Sequence, residues 1–164
     1  MAHSSAETAT KSAPSVALNT NEVRFTGGML ALNRFLMTLQ NKRMPVAGFT
    51  LGREAKPDGM RATIVLDCPP ETALRYTSLI SALEDVHEAG PAEGTEVVLL
   101  QTAGDWRGAA GRAGVAAHES GGTVVASGEP EKVEEFLASL GDGVEDMVRL
   151  GPVARPAGEA WGGV

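Results

Sequence analysis

Cysteine, aromatic residues and positive charge are all in short supply in this chain. Cys68 is the single cysteine among 164 residues. No intrachain disulfide can therefore form, and a reducing, cytoplasmic setting is expected. The thiol follows a strand-like run and precedes Pro69-Pro70, a setting that suits packing rather than reactivity. Aromatic residues make up 4%, so a core has to be assembled from Val, Leu, Ile, Ala and Met. Lys and Arg number 14 against 21 Asp and Glu, a net charge of −7. That balance argues against a nucleic-acid partner, which needs clustered cations for the phosphates. No apolar run approaches the roughly 20 residues of a membrane span, so no membrane association is expected. The opening residues, MAHSSAETATKSAPSVAL, lack the apolar stretch of a secretory signal. Glu7 and the absence of Arg there count against a transit peptide. Residues 1–20 are expected to form a disordered tail.

Reaction chemistry is missing too. The histidines are His3, His87 and His118, and none has ligand spacing to another His, a Cys or paired carboxylates. No metal, no cofactor and no catalytic residue is expected. Gly108, Gly111 and Gly114 give GxxGxxG, but the spacing from the preceding strand is wrong for a dinucleotide fingerprint. That stretch reads as a loose Ala/Gly connection. The run Glu131-Lys132-Val133-Glu134-Glu135 reads as a solvated helix face, and Trp161 as an exposed end.

What is present is an ordinary globular composition, 43% hydrophobic and 21% charged, in a length that suits one medium domain or two small ones of about 70 residues. Asn21–Thr26 alternates like a half-buried strand, and Gly27-Gly28 breaks it. A helix follows from Met29 to about Lys42, with Leu32, Phe35, Leu36 and Leu39 in one stripe. Pro45 ends it. Residues 45–67 then read as a hairpin around Lys56-Pro57-Asp58-Gly59, with Arg61–Asp67 its strongest strand. Pro69-Pro70 opens a second helix to about Leu83, with Leu74, Thr77, Ile80 and Leu83 as its buried face. Asp85–Ala89 closes the unit. This β-α-β-β-α-β order is the split βαβ motif, with both helices on one sheet face.

The pattern then restarts. Residues 90–94 read as a linker and Glu96–Gln101 as a buried strand. Thr102–Gly114 is weak as a helix. Val115–His118 and Thr123–Ser127 are short strands, and Pro130–Leu140 is a clear helix with Val133, Phe136, Leu137 and Leu140 on one face. Val144–Val153 is a last strand. The expected fold class is α+β, two tandem ferredoxin-like modules over residues 21–89 and 95–158, with a flexible tail at 159–164.

Several stretches resemble the small, regulatory subunit of acetolactate synthase. Phe49-Thr50-Leu51-Gly52 and Met60–Asp67 resemble two strands of its N-terminal ACT domain. Ile80-Ser81-Ala82-Leu83 with Asp85-Val86 resembles the helix and strand that close that domain. Asp105-Trp106-Arg107-Gly108, Val124–Leu140 and Val144–Gly158 resemble successive parts of its C-terminal domain. Together these span roughly residues 21–158, in the family's order. The resemblance implies that the first module is an ACT domain. It also implies a non-catalytic chain that forms homodimers and activates a thiamine-diphosphate-dependent large subunit in branched-chain amino-acid biosynthesis. The family's effector amino acid sits at a turn before the first helix; here that turn is Gly27, Gly28, Met29 and Leu30. Two departures stand out. Leu30 occupies the place of a family glycine in an ungapped alignment. Pro45, with no donor, stands where the family has Asn. Weakened feedback by valine is the expectation. A stand-alone ACT-domain amino-acid sensor without an enzyme partner is the alternative. A small ferredoxin-like enzyme is a third reading, disfavoured by the missing acid–base pair.

Overall fold

The computed structural model describes residues 18–156. His3, Trp161, most of the expected tail 1–20 and the expected tail 159–164 lie outside the described residues. The first module comprises β1 (Leu18–Thr26), α1 (Gly28–Asn41), β2 (Val46–Arg53), β3 (Gly59–Asp67), α2 (Pro70–Ser81) and β4 (Val86–Pro91). The second comprises β5 (Gly94–Thr102), α3 (Trp106–Ala113), β6 (Ala116–Ser120), β7 (Thr123–Gly128), α4 (Pro130–Leu140), a 3-10 turn (Gly141–Gly143) and β8 (Val144–Ala154). Each builds a four-stranded antiparallel sheet, ordered β2-β3-β1-β4 and β6-β7-β5-β8. The fold is thus α+β, two tandem ferredoxin-like βαββαβ modules with the same strand order.

Strand alternation sorts each sheet into an inner and an outer face. In the first sheet Val23 and Phe25 of β1 and Ala62, Ile64 and Leu66 of β3 pack under both helices. From α1 they receive Ala31, Leu32, Phe35 and Leu39. Leu36 does not join them: it is 41% exposed, because the buried stripe is centred one position earlier, on Ala31 and Phe35. α2 makes the same correction. Ala73, Thr77 and Ile80 are buried and Leu83 packs partly against them, whereas Leu74 is 53% exposed. One residue is about 100° of helix, so Leu74 clears the stripe.

Part of the outer face of the first sheet carries an ionic cluster. Glu22 lies 2.6 Å from Arg61 Nη2 and 2.9 Å from Arg24 Nε, and Glu54 lies 3.2 Å from Arg24 Nε. The hydrogen bond to Glu22 raises the Arg24 guanidinium above its ordinary pKa.

In the second module Val98 and Leu100 of β5 and Val124 and Ala126 of β7 pack under Val133 and Phe136 of α4 and under α3. The Ala/Gly stretch expected as a loose connection is a helix of 8 residues. Asp105 caps it by accepting from the Gly108 amide at 3.1 Å, and Trp106, Ala109, Ala110 and Ala113 are buried. A cap and a buried stripe outweigh the low helix propensity of two glycines.

The join between the modules is tighter than a five-residue linker. β4 continues through Gly90 and Pro91 and β5 starts at Gly94, leaving Ala92 and Glu93 between them. Pro91 is tolerated because β4 is an edge strand of its sheet. β8 completes the join. Opposite Glu96 its pairing with β5 slips at Gly151-Pro152, and Gly151 takes φ +124, where an added Cβ would lie 2.9 Å from the Val153 amide nitrogen. Beyond that point β8 reaches the first module: the Ala154 amide donates to Thr63 Oγ1 at 2.7 Å. Thr63 and Ala154 are 3% and 6% exposed.

Candidate functional site

At the end of β1 the chain reverses into α1 through Gly27 and Gly28, with φ values of +110 and +63. Both lie in the left-handed region that glycine adopts at little cost. Gly27 is also confined: a Cβ there would sit 3.0 Å from Ala31 Cβ and 3.4 Å from Asp85 Oδ1. Gly28 has open space around it. The first turn of α1 has no side-chain cap and no acidic residue, so its free amides and the positive end of the helix dipole face outward. Met29 and Leu30 are 74% and 62% exposed. In this chain Leu30 points to solvent and fills no internal space.

Pro45 is not near this turn. Thr26 pairs with Gly59 at one end of β3, and Val46, next to Pro45, pairs with Leu66 at the other. Seven residues of strand separate them, about 23 Å at ~3.3 Å per residue. The turn and the start of β2 could share a ligand only if two chains contributed one part each.

Beside the turn lies a cavity of about 170 Å³, lined by Phe25, Ala31, Arg34, Phe35, Leu83, Glu84, Asp85 and Val86. Its floor is apolar, from β1, the inner side of α1 and the segment joining α2 to β4. Its rim is charged. Arg34 Nη1 approaches Asp85 Oδ2 at 3.5 Å, with Arg34 half-exposed and Asp85 largely covered. The Thr26 amide donates to the Asp85 carbonyl at 3.1 Å, which ties this segment to the end of β1. None of Gly27, Gly28, Met29 or Leu30 lines the cavity; Ala31 is the first residue of α1 that does. Sequence reasoning missed Arg34 and Asp85 because one sits on the flank of a helical stripe and the other, expected to open a strand, lies in the turn just before β4. Only the α2–β4 segment folding back beneath α1 brings them together.

The other noted residues are structural in their contacts. His87 Nε2 and Thr26 Oγ1 are 2.8 Å apart. Cys68 is buried at the core edge, and burial pushes its thiol pKa up. Arg149 bridges Glu96 on β5 and Glu134 on α4, at 2.5 and 2.9 Å, and the bond to Glu96 raises its pKa above the ordinary guanidinium value. Among the described residues no three His, Cys, Asp or Glu side chains gather as metal ligands would, and no helix is long and apolar enough to cross a membrane.

No protein-family model matches the chain, and no curated protein matches it in sequence. Among solved structures, the chain is similar to the acetolactate synthase small subunit from Thermotoga maritima, with a TM-score of 0.70. The match covers 85% of this chain and 97% of that one, at 15% sequence identity. At that identity the likeness is one of fold.

Proposed function

We propose that this chain is a non-catalytic regulatory subunit that binds and activates the thiamine-diphosphate-dependent catalytic subunit of an acetolactate synthase. It would act in the cytoplasm, in branched-chain amino-acid biosynthesis. The observation that carries the reading is the tandem architecture. Both modules follow nearly the whole of a small subunit of that enzyme, and residues 21–158 resemble the family in order and spacing.

The reading includes a homodimer. β2 is an edge strand with Val46, Phe49 and Leu51 each more than a third exposed. α1 lies against it through the Phe35 and Phe49 rings, 6.1 Å apart, and carries exposed Leu36 and Met37. An uncovered edge beside apolar surface favours pairing with a second copy. Pairing would let Gly27, Gly28, Met29 and Leu30 of one chain face β2 of the other, as an effector site for a branched-chain amino acid. Such a site would hold valine weakly. Pro45 offers no donor, and an unpaired charged group in a buried site costs about 1–3 kcal/mol, or one to two decades of affinity.

The test is to mix the purified chain with a cognate catalytic subunit. Co-purification and a rise in turnover are expected, with no synthase activity from this chain alone. Neither binding nor a rate change would overturn the proposal and leave the stand-alone sensor. Light scattering at micromolar concentration is expected to give at least a dimer mass; a monomer mass would remove the interchain effector site.

A further inference from the structure

The second sheet has an outer face that the function proposed above leaves unused. α3 and α4 cover its other side, over Val98, Leu100, Val124 and Ala126. Strand register gathers the alternate residues on this one. Val125, Leu99 and Val148 form one row across β7, β5 and β8, and Val97 and Leu150 stand together in the next. Val148 and Leu150 are 51% and 46% exposed, and Val97, Leu99 and Val125 are half-buried. Two titratable groups bound the patch on opposite sides: His118, opposite Val125, and Asp146, opposite Gln101.

Charge and area choose what covers it. Over residues 92–156 Lys and Arg number 5 against 11 Asp and Glu, whereas over residues 18–91 they number 8 against 8. The negative charge therefore sits on the second module. Asp142, Glu145 and Asp146, all exposed, cluster where β8 enters the sheet. The nearby cation, Arg149, is already held by Glu96 and by Glu134 of α4. The patch spans four strands at ~4.8 Å and five residues at ~3.3 Å, roughly 300 Å². Even with side-chain relief, that is well short of the ~800 Å² per partner of a stable, specific interface. A second copy would gain too little on this face, and would bring two acidic modules together. A larger partner that covers the patch and reaches onto the acidic end with its own cations meets both requirements.

We propose that this face of the second module docks a larger protein that presents an apolar patch rimmed by Lys and Arg. Val97, Leu99, Val125, Val148 and Leu150 supply the dry centre. Asp142, Glu145 and Asp146 supply the charged rim that steers approach and fixes orientation. Identifying that protein as the catalytic subunit rests on the function proposed above. The face belongs to the other sheet from β2, so pairing of two chains through β2 and α1 leaves it free in each.

The experiment titrates the catalytic subunit with the full chain at low and high salt, reading binding and turnover. V148E and L150E put a charge into the dry centre at positions that are already exposed. Each is expected to raise the half-saturating concentration about tenfold or more, with an unfolding midpoint and light-scattering mass like those of the wild type. D146K is expected to weaken binding at low salt and to lose most of that penalty at high salt. The wild-type complex is itself expected to weaken as salt rises. L74E, at a 53% exposed leucine of the first module, is the control and is expected to bind normally. D146K and the salt series leave the apolar patch intact, so they decide the matter even where V148E or L150E fails to fold. Wild-type binding that V148E and L150E leave unchanged would overturn the surface while the proposed function stands. A fall of both variants to half the wild-type mass would assign the face to a second copy and overturn the proposal. Wild-type affinity indifferent to salt, with D146K binding normally, would remove the cationic rim and overturn it too. A wild-type chain that neither binds nor stimulates the catalytic subunit refutes the proposed function, and the occupant of this surface with it.

Discussion

Replacing Thr63 by Val removes the hydroxyl that joins the two modules and leaves the rest of the side-chain shape in place. The Ala154 amide donates to that hydroxyl at 2.7 Å, with Thr63 3% and Ala154 6% exposed. In T63V the amide keeps its burial and loses its acceptor. An orphaned buried donor costs about 1–3 kcal/mol; the more apolar valine recovers part of this, so the net expectation is about 1–2 kcal/mol. With a urea m-value of about 2 kcal/mol/M, the unfolding midpoint falls by roughly 0.5–1 M. The local readout is sharper. Hydrogen exchange of the Ala154 amide is expected to quicken about 5–30-fold, the same free energy expressed as a rate ratio. T63S is the control: it loses a methyl, costing about 0.8 kcal/mol, but keeps the acceptor, so Ala154 exchange stays near its original rate. Unchanged Ala154 exchange in T63V, or equal acceleration in T63S, would refute the reasoning that this hydroxyl holds β8 against the first sheet.

Three further perturbations test other parts of the structure. G27A is expected to cost more than G28A in chemical denaturation: both carry positive φ, but only at Gly27 would the new methyl press on Ala31 Cβ at 3.0 Å, adding to a backbone strain of about 1–3 kcal/mol; equal costs would show that the close approach relaxes freely. F136A, at a fully buried position of the second core, is expected to cost about 3–5 kcal/mol, and a loss below 1 kcal/mol by denaturation would show that core to be loosely packed. Burial raises the Cys68 thiol pKa, so the folded chain keeps its proton where the unfolded chain begins to lose it. Stability contributed by the neutral thiol is therefore full below the ordinary thiol pKa of about 8.5 and falls as pH rises beyond it. C68A is expected to remove that alkaline slope in pH-dependent melting, and an identical slope in C68A would assign it to other groups.

Much of this architecture is written locally in the chain. The periodic stripe of Val133 and Phe136, the alternation of Arg61–Asp67 around its turn, and the apolar run of β5 report their own secondary structure, because side-chain period and backbone period are the same quantity. Element order then leaves few topologies open, and the doubled βαββαβ order follows without reference to any contact. The sequence alone did not decide the features that depend on neighbours. Whether Leu36 and Leu74 are buried depends on how each helix is rotated over its sheet, a choice settled by all the packed side chains together. α3 forms despite its glycines because Trp106 and its alanines find a core to enter and Asp105 a backbone amide to cap. The strand expected to end the chain's second sheet also reaches Thr63, 91 residues away in sequence. The cavity rim joins Arg34 to Asp85 across the whole of β2, β3 and α2. Periodicity is a short-range signal, whereas these contacts pair residues whose separation along the chain carries no trace of their meeting. Tertiary packing alone brings them within hydrogen-bonding range.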